Sequence, residues 1–193
     1  MSNLEFVNHS CVILSNNNIS LAMDPWIEGS VFNNSWNLLS KTPEKSIENL
    51  KKSQFIWFSH EHPDHFNPPN LKIFSEKNNF LFQKTIDGRV VNYLKNISPN
   101  VKEISFNEKF QLADNFAIEV IPFQYLDSML IARINNITIL NLNDCDIKNN
   151  SQLKLIKKRT GPIDILLVQF SYAIGKSNKN NKKERREKQW SVN

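Results

Sequence analysis

The stretch FSHEHPDHFNP, residues 58–68, places three of the chain's four histidines within six positions, directly behind the apolar run QFIWF. That run has the length and the aromatic and β-branched content of a buried strand. A loop leaving the end of such a strand is where a layered α/β fold displays its chemistry. Imidazole and carboxylate groups are the ordinary ligands of zinc and similar divalent ions. In an extended loop, alternate spacing turns His60 and His62 to one side, and Asp64 and His65 are then free to face a second ion. H-x-H-x-D-H therefore predicts a metal site, and with it a fold that has a strand end to offer.

The rest of the chain can supply that fold. Short apolar runs recur as LEFV, SCVIL, ISLAM, FLF, FAIEVIPF, SMLIARI, ITILNLN and DILLVQF, each the length of a strand. Helical stretches lie between some of them. TPEKSIENLKK puts Thr42, Pro43 and Glu44 in N-cap, N1 and N2 places, DGRVVNYLKNIS follows an Asp-Gly turn, and NPPNLKIFSEK and KNNSQLKLIKKR complete the set. No repeat and no interior linker is visible. Antiparallel-looking strand neighbours at both ends, with helices interspersed, predict an α/β (α+β) domain over residues 1–175 in which two sheets lie between helix layers.

A chain of 193 residues, 40% hydrophobic, is long enough to bury one sizeable core. Its net charge of +5 invites a nucleic-acid partner, so the location of that charge matters. Residues 176–193 hold seven Lys/Arg and two Asp/Glu, which leaves 17 of each sign in residues 1–175. The body is neutral and offers no basic stripe for phosphates. The tail reads as a solvated charged segment or the start of a helix. No apolar run approaches the roughly 18 residues of a membrane helix, and the N-terminus lacks the features of a signal peptide. These observations predict a soluble cytoplasmic protein acting on a small-molecule substrate. Cys11 and Cys145 each lie in or beside an apolar run, as buried reduced thiols do.

H-x-H-x-D-H behind a hydrophobic strand resembles the signature of the metallo-β-lactamase superfamily, and further matches follow in order. Residues 23–26, MDPW, are similar to the family's buried aspartate after its second strand. ITILNLNDCD resembles the strand that ends in a metal-bridging aspartate, with Asn143-Asp144-Cys145 where Gly-Asp-Thr is commoner. DPWIEGSVFNNSW, HEHPDHFNP, NLNDC and LLVQFSYA together resemble the branch related to CMP-N-acetylneuraminate hydroxylase and, more distantly, to N-acylphosphatidylethanolamine phospholipase D. The resemblance spans residues 4–172. It implies a metallo-β-lactamase-like αββα sandwich with a binuclear metal centre at one edge. His60 and His62 would hold the first ion, Asp64 and His65 the second, and Asp144 would bridge them. Asp64 would also be the catalytic carboxylate, and Asp24 would support the loops from behind. Zinc is the implied metal, with manganese or iron as alternatives. The implied chemistry is hydrolysis of an ester, amide or phosphodiester by a water whose pKa the ions lower.

Two departures from the family pattern carry consequences. Many relatives place another histidine between the central motif and the bridging aspartate, but here that interval reads IPFQYLDSMLIAR. Gln124 or Asp127 is left to supply an oxygen, or water fills the place, and Asp127 reads more readily as the cap of a strand turn. His9 is the only other histidine: the resemblance implies that the early strand pair can bring such a residue near the metal edge as a pocket residue, and the alternative is a core or rim histidine hydrogen-bonded to backbone. Trp26, with Phe32 and Trp36, reads either as an aromatic wall beside the metal or as core packing. Relatives also continue beyond the QFSYA strand to a last histidine ligand, whereas this sequence ends eighteen residues after Gly175. A sandwich incomplete at its C-terminus is the expectation. With fewer ligands the affinity should fall and the preference for zinc weakens, since oxygen-richer sites tolerate manganese or iron. The alternatives to a hydrolase are therefore an iron-dependent oxygenase-like protein of nucleotide-sugar or surface-polysaccharide metabolism, and a non-catalytic remnant. Ser171 and Tyr172 follow a strand end, yet no Gly-x-Ser-x-Gly elbow accompanies them.

Overall fold

Alternation along the first strands sets the layering. In the computed structural model, which describes residues 1–124 and 126–169, β2 (Cys11–Asn16) lies between β1 (Ser2–Asn8) and β3 (Ile19–Met23), antiparallel to both. Cys11 and Ile13 of β2 join one apolar cluster, and Val12 and Leu14 join another. Successive strand residues point to opposite faces, so this sheet is buried on both sides. After a small hairpin of β4 (Ser30–Val31) and β5 (Trp36–Asn37), the chain enters α1 (Glu44–Lys52) and returns as β6 (Phe55–Trp57), parallel to β3. A 3-10 helix over Pro68–Ile73 leads to β7 (Asn79–Gln83), and α2 (Arg89–Lys95) leads to β8 (Val101–Ile104), both strands again parallel to their neighbours. The first sheet thus runs in the order β1-β2-β3-β6-β7-β8.

The second sheet is a meander closed by one crossover. β9 (Lys109–Ala113), β10 (Phe116–Phe123), β11 (Asp127–Ile134) and β12 (Ile137–Asn141) pair antiparallel in sequence order. After α3 (Asn150–Thr160), β13 (Ile165–Leu167) joins parallel to β12. Leu14, Leu21, Trp57 and Leu81 of the first sheet meet Phe116, Ile118, Leu130 and Ala132 of the second in the central core. Outside the first sheet, Ile56, Phe58 and Phe80 pack on Leu50 of α1 and Val91 and Leu94 of α2. Outside the second, Ile131 and Leu140 pack with Ile156 of α3. Three cores separate four layers, which is the αββα sandwich the sequence predicts. Full burial of a side chain such as Leu14 or Leu81 stabilises by roughly 1.5–3 kcal/mol.

Several local expectations are corrected. Thr42 is not the N-cap of α1, because its buried hydroxyl donates to the Ile27 carbonyl (2.6 Å) and accepts from Asn8 Nδ2 (3.1 Å). Pro43 stands at the cap instead, with no side-chain cap bond. NPPNLKIFSEK forms only the 3-10 helix, capped by the Asn67 side chain. Its two leading prolines lack amide hydrogens, and Asn70 is diverted to bond the Ile27 amide (2.6 Å). β8 and β9 are too polar to read as strands, and β4 and β5 are two residues each. Cys11 and Cys145 are free and buried as expected. Among the described residues no helix is long and apolar enough to cross a membrane. Ser171, Tyr172 and the charged segment 176–193 lie outside the described residues.

Candidate metal centre

β3 and β6 run side by side and parallel, so their C-terminal ends open on one edge of the sandwich. Asp24, directly after β3, takes a left-handed backbone (φ 45°), and its N–H donates to the Trp57 carbonyl at 3.0 Å. A non-glycine residue in this conformation costs of order 1–3 kcal/mol. Its carboxylate is fully buried and offsets that cost by accepting three hydrogen bonds. Oδ1 takes the Ser59 amide (2.7 Å), and Oδ2 takes the Ser59 hydroxyl (2.8 Å) and His65 Nδ1 (3.0 Å). Asp24 thus lies against Ser59 and His65, on the inner side of the loop.

The loop after β6 is held by its own backbone. The His62 carbonyl accepts from the amides of His65 (3.0 Å) and Phe66 (2.7 Å), and Asn67 Nδ2 donates to the Pro63 carbonyl (2.8 Å). This turn separates the motif into two groups. His60 Nε2 lies 2.8 Å from His62 Nδ1 and 3.9 Å from Asp144 Oδ2. His65 Nε2 lies 3.6 Å from Asp64 Oδ2 and 3.4 Å from Asp144 Oδ1. Asp144 reaches the edge from just beyond β12 and turns one oxygen to each group. His9, in the turn between β1 and β2, places Nε2 3.1 Å from Asp64 Oδ2. His60, His62 and Asp144 form one set of convergent donor atoms, and His9, Asp64 and His65 another.

Burial and neighbouring charge polarise the edge. Burial pulls His65 down, but Asp24 and Asp144, as charges and hydrogen-bond acceptors, outweigh it and hold the imidazole up at about 10. His60 goes the other way, lowered by burial and by the charge of His65. Asp64 and Asp144 sit below the usual carboxylate range: burial opposes this, and hydrogen bonds from His9 and His65 respectively prevail. Four left-handed non-glycine residues, His9, Asp24, Gln124 and Asn143, lie within or beside these segments.

The donor atoms suit a divalent ion. Four imidazoles and two carboxylates are the nitrogen and oxygen ligands that zinc, manganese and iron take. Asp64 Oδ1 is buried with no hydrogen-bond partner among the described residues, and a buried orphan acceptor is a place for a cation. Asp127 approaches the other side of His60, with Oδ1 3.7 Å from Nδ1, while Gln124 lines a cleft of about 290 Å³ with Glu61, Gln83, Lys84, Pro122 and Leu126. Trp26 is buried and packs edge-on to His9 at 5.1 Å, so it forms core behind the edge, while Phe32 and Trp36 remain half-exposed. Ser59 is not identifiable as a site residue from the sequence. A serine before a histidine pair carries no signal until Asp24 is known to lie beside it.

Residues 3–177 match the family model of the beta-lactamase superfamily domain. The chain belongs to the metallo-β-lactamase superfamily. Among curated relatives of this superfamily chain, the CMP-N-acetylneuraminic acid hydroxylase of Xenopus laevis is 26% identical over 180 residues, covering 89% of the chain and 29% of the relative. That of Danio rerio is 26% identical over 158 residues, covering 78% and 27%. The chain therefore spans under a third of the length of these relatives. Among solved structures, the diiron β-hydroxylase CmlA of Streptomyces venezuelae superimposes with a TM-score of 0.68 at 16% identity, over 86% of this chain and 34% of that one. An isothiocyanate hydrolase from Delia radicum gut bacteria gives 0.66 at 14% identity, over 91% and 74%. Both share the metallo-β-lactamase fold with this chain.

Proposed function

We propose that the chain is a metal-dependent enzyme domain with a two-ion centre, and that hydrolysis of an ester, amide or phosphodiester bond in a small-molecule substrate is the activity its site supports best. The observation that carries the reading is the convergence of the chain's whole histidine complement, His9, His60, His62 and His65, with Asp64 and Asp144 on one edge. His60, His62 and Asp144 would hold one ion, and His9, Asp64 and His65 the other. Asp144 would bridge, since its two oxygens face the two groups. Ions held there would supply a water of lowered pKa and a Lewis acid for the oxyanion. The protein's own part is to fix the donors. Asp24 holds His65 by Nδ1 and leaves Nε2 for the centre, and such outer partners raise ligand basicity. The cleft beside Glu61 gives the non-reacting part of a substrate a place next to the loop.

A second reading, hydroxylation with iron, is favoured by the relatives. The matched curated proteins are hydroxylases, and a diiron hydroxylase is among the structural neighbours. The test is to load the full chain in parallel with zinc, manganese or ferrous iron. Each form is then assayed for ester and phosphodiester cleavage and for oxygen consumption with CMP-N-acetylneuraminic acid. Cleavage supported by zinc or manganese without oxygen uptake bears out the hydrolase, and iron-dependent oxygen uptake coupled to substrate oxidation overturns it.

A further inference from the structure

We infer that Ser59 is a positioning residue that fixes the tautomer of His60 and shares in fixing that of His65, so that one hydroxyl sets a ligand nitrogen in each half of the centre. The inference rests on the two-ion reading above. Ser59 is fully buried at the end of β6, and its carbonyl accepts from the Ser128 hydroxyl of the opposite sheet at 2.6 Å, which pins the residue between the layers. Its Oγ has three polar neighbours: Asp24 Oδ2 at 2.8 Å, His60 Nδ1 at 2.9 Å and His65 Nδ1 at 3.1 Å.

Only one assignment of protons satisfies all three. Carboxylate oxygens accept, so the single hydroxyl proton of Ser59 goes to Asp24. The oxygen then presents only lone pairs to the two imidazoles. His60 Nδ1 must therefore carry a hydrogen and donate it, because two facing lone pairs in a buried site repel and leave both groups unsatisfied. Nδ1–H at His60 leaves the lone pair on Nε2, the atom that faces His62 and Asp144. His65 Nδ1 donates to Asp24 and, more weakly, to Ser59, and its Nε2 likewise faces Asp64 and Asp144. Asp127 cannot replace the serine without a shift, since its oxygen stands 3.7 Å from His60 Nδ1. A short polar link, Asp24–Ser59, thus orients both rings, and losing the hydroxyl disturbs both ions.

The test compares the full-length wild type with Ser59→Ala and Ser59→Thr, the latter keeping a hydroxyl. Imidazole nitrogen NMR of metal-free protein above the titration of His60 reads the tautomer directly, and a titration with cobalt(II) alone reads ion binding by its absorption spectrum. The expected result is a fixed Nδ1–H tautomer at His60 in wild type and Ser59→Thr, and a mixture in Ser59→Ala. Cobalt affinity should fall about 10- to 100-fold at both sites in Ser59→Ala and recover in Ser59→Thr. An unchanged tautomer in a folded Ser59→Ala overturns the inference. If Ser59→Ala does not fold, a His60 Nε2–H tautomer in wild type or Ser59→Thr overturns it as well. Absence of cobalt binding by wild type would count against the metal centre itself, while the tautomer reading would still decide the role of Ser59.

Discussion

His9 Nε2 lies 3.1 Å from Asp64 Oδ2, joining residues 55 positions apart in the sequence. The contact depends on the β1–β2 turn, where His9 takes a left-handed backbone (φ 48°) and the strand register shifts between Phe6 and Asn8. Trp26, edge-on at 5.1 Å, backs the ring. His9 thereby gives the Asp64–His65 pair a third donor from the N-terminal end of the chain.

If that donor binds, His9→Gln should lower occupancy of the second ion and spare the first. Elemental analysis of the variant beside wild type checks it. The expected count falls towards one ion per chain, and a count equal to wild type would remove His9 from the centre.

Asp24→Asn keeps the size of the side chain but replaces one acceptor oxygen by a donor, which meets either the Ser59 amide or the hydroxyl–imidazole pair as donor against donor. Loss of an outer-shell partner of this kind costs about 10- to 100-fold in metal affinity. Competition of the variant against a chelator of known affinity measures it, and an unchanged affinity would leave Asp24 a purely structural residue.

The pH dependence of the metal-free protein follows from the opposed shifts of two histidines. His65 is held at about 10 against an ordinary 6.5, so the folded state binds the extra proton between those values. Its contribution is fully present below 6.5 and is lost as pH rises through about 10. His60 is lowered from 6.5, so below that value the unfolded chain binds more protons and stability falls with acid. Thermal melts of metal-free protein should therefore decline from neutral pH towards pH 10, and His65→Gln should flatten that alkaline limb. An unaltered limb in the variant would assign the decline to other groups.

Much of this was legible because it is local. H-x-H-x-D-H declares a cluster of ligand-type side chains, although not the turn at the His62 carbonyl that splits it, and the apolar runs of β2, β10 and β11 declare strands on any reading. What was hidden depends on contacts across the fold. His9 became part of the second group only when the β1–β2 turn was placed against Asp64, and Ser59 gained a role only beside Asp24, 35 positions away. Thr42 read as a helix cap from its neighbours, but a carbonyl from residue 27 claimed its hydroxyl first. β8 and β9 escaped notice because edge and half-exposed strands carry polar residues, and VKEI and KFQLA look like loop until the sheet order is known.

Six side chains from both ends of the described sequence, His9, His60, His62, Asp64, His65 and Asp144, would build the proposed two-ion centre. Metal content per chain, measured by elemental analysis on full-length protein purified without added metal and again after cobalt loading, tests it most directly when wild type is run beside His62→Ala. Two ions per chain at saturation are expected in wild type and fewer in the variant, with the fold retained by circular dichroism. Wild type that saturates with no ion, or two ions that persist undiminished in His62→Ala, would contradict it.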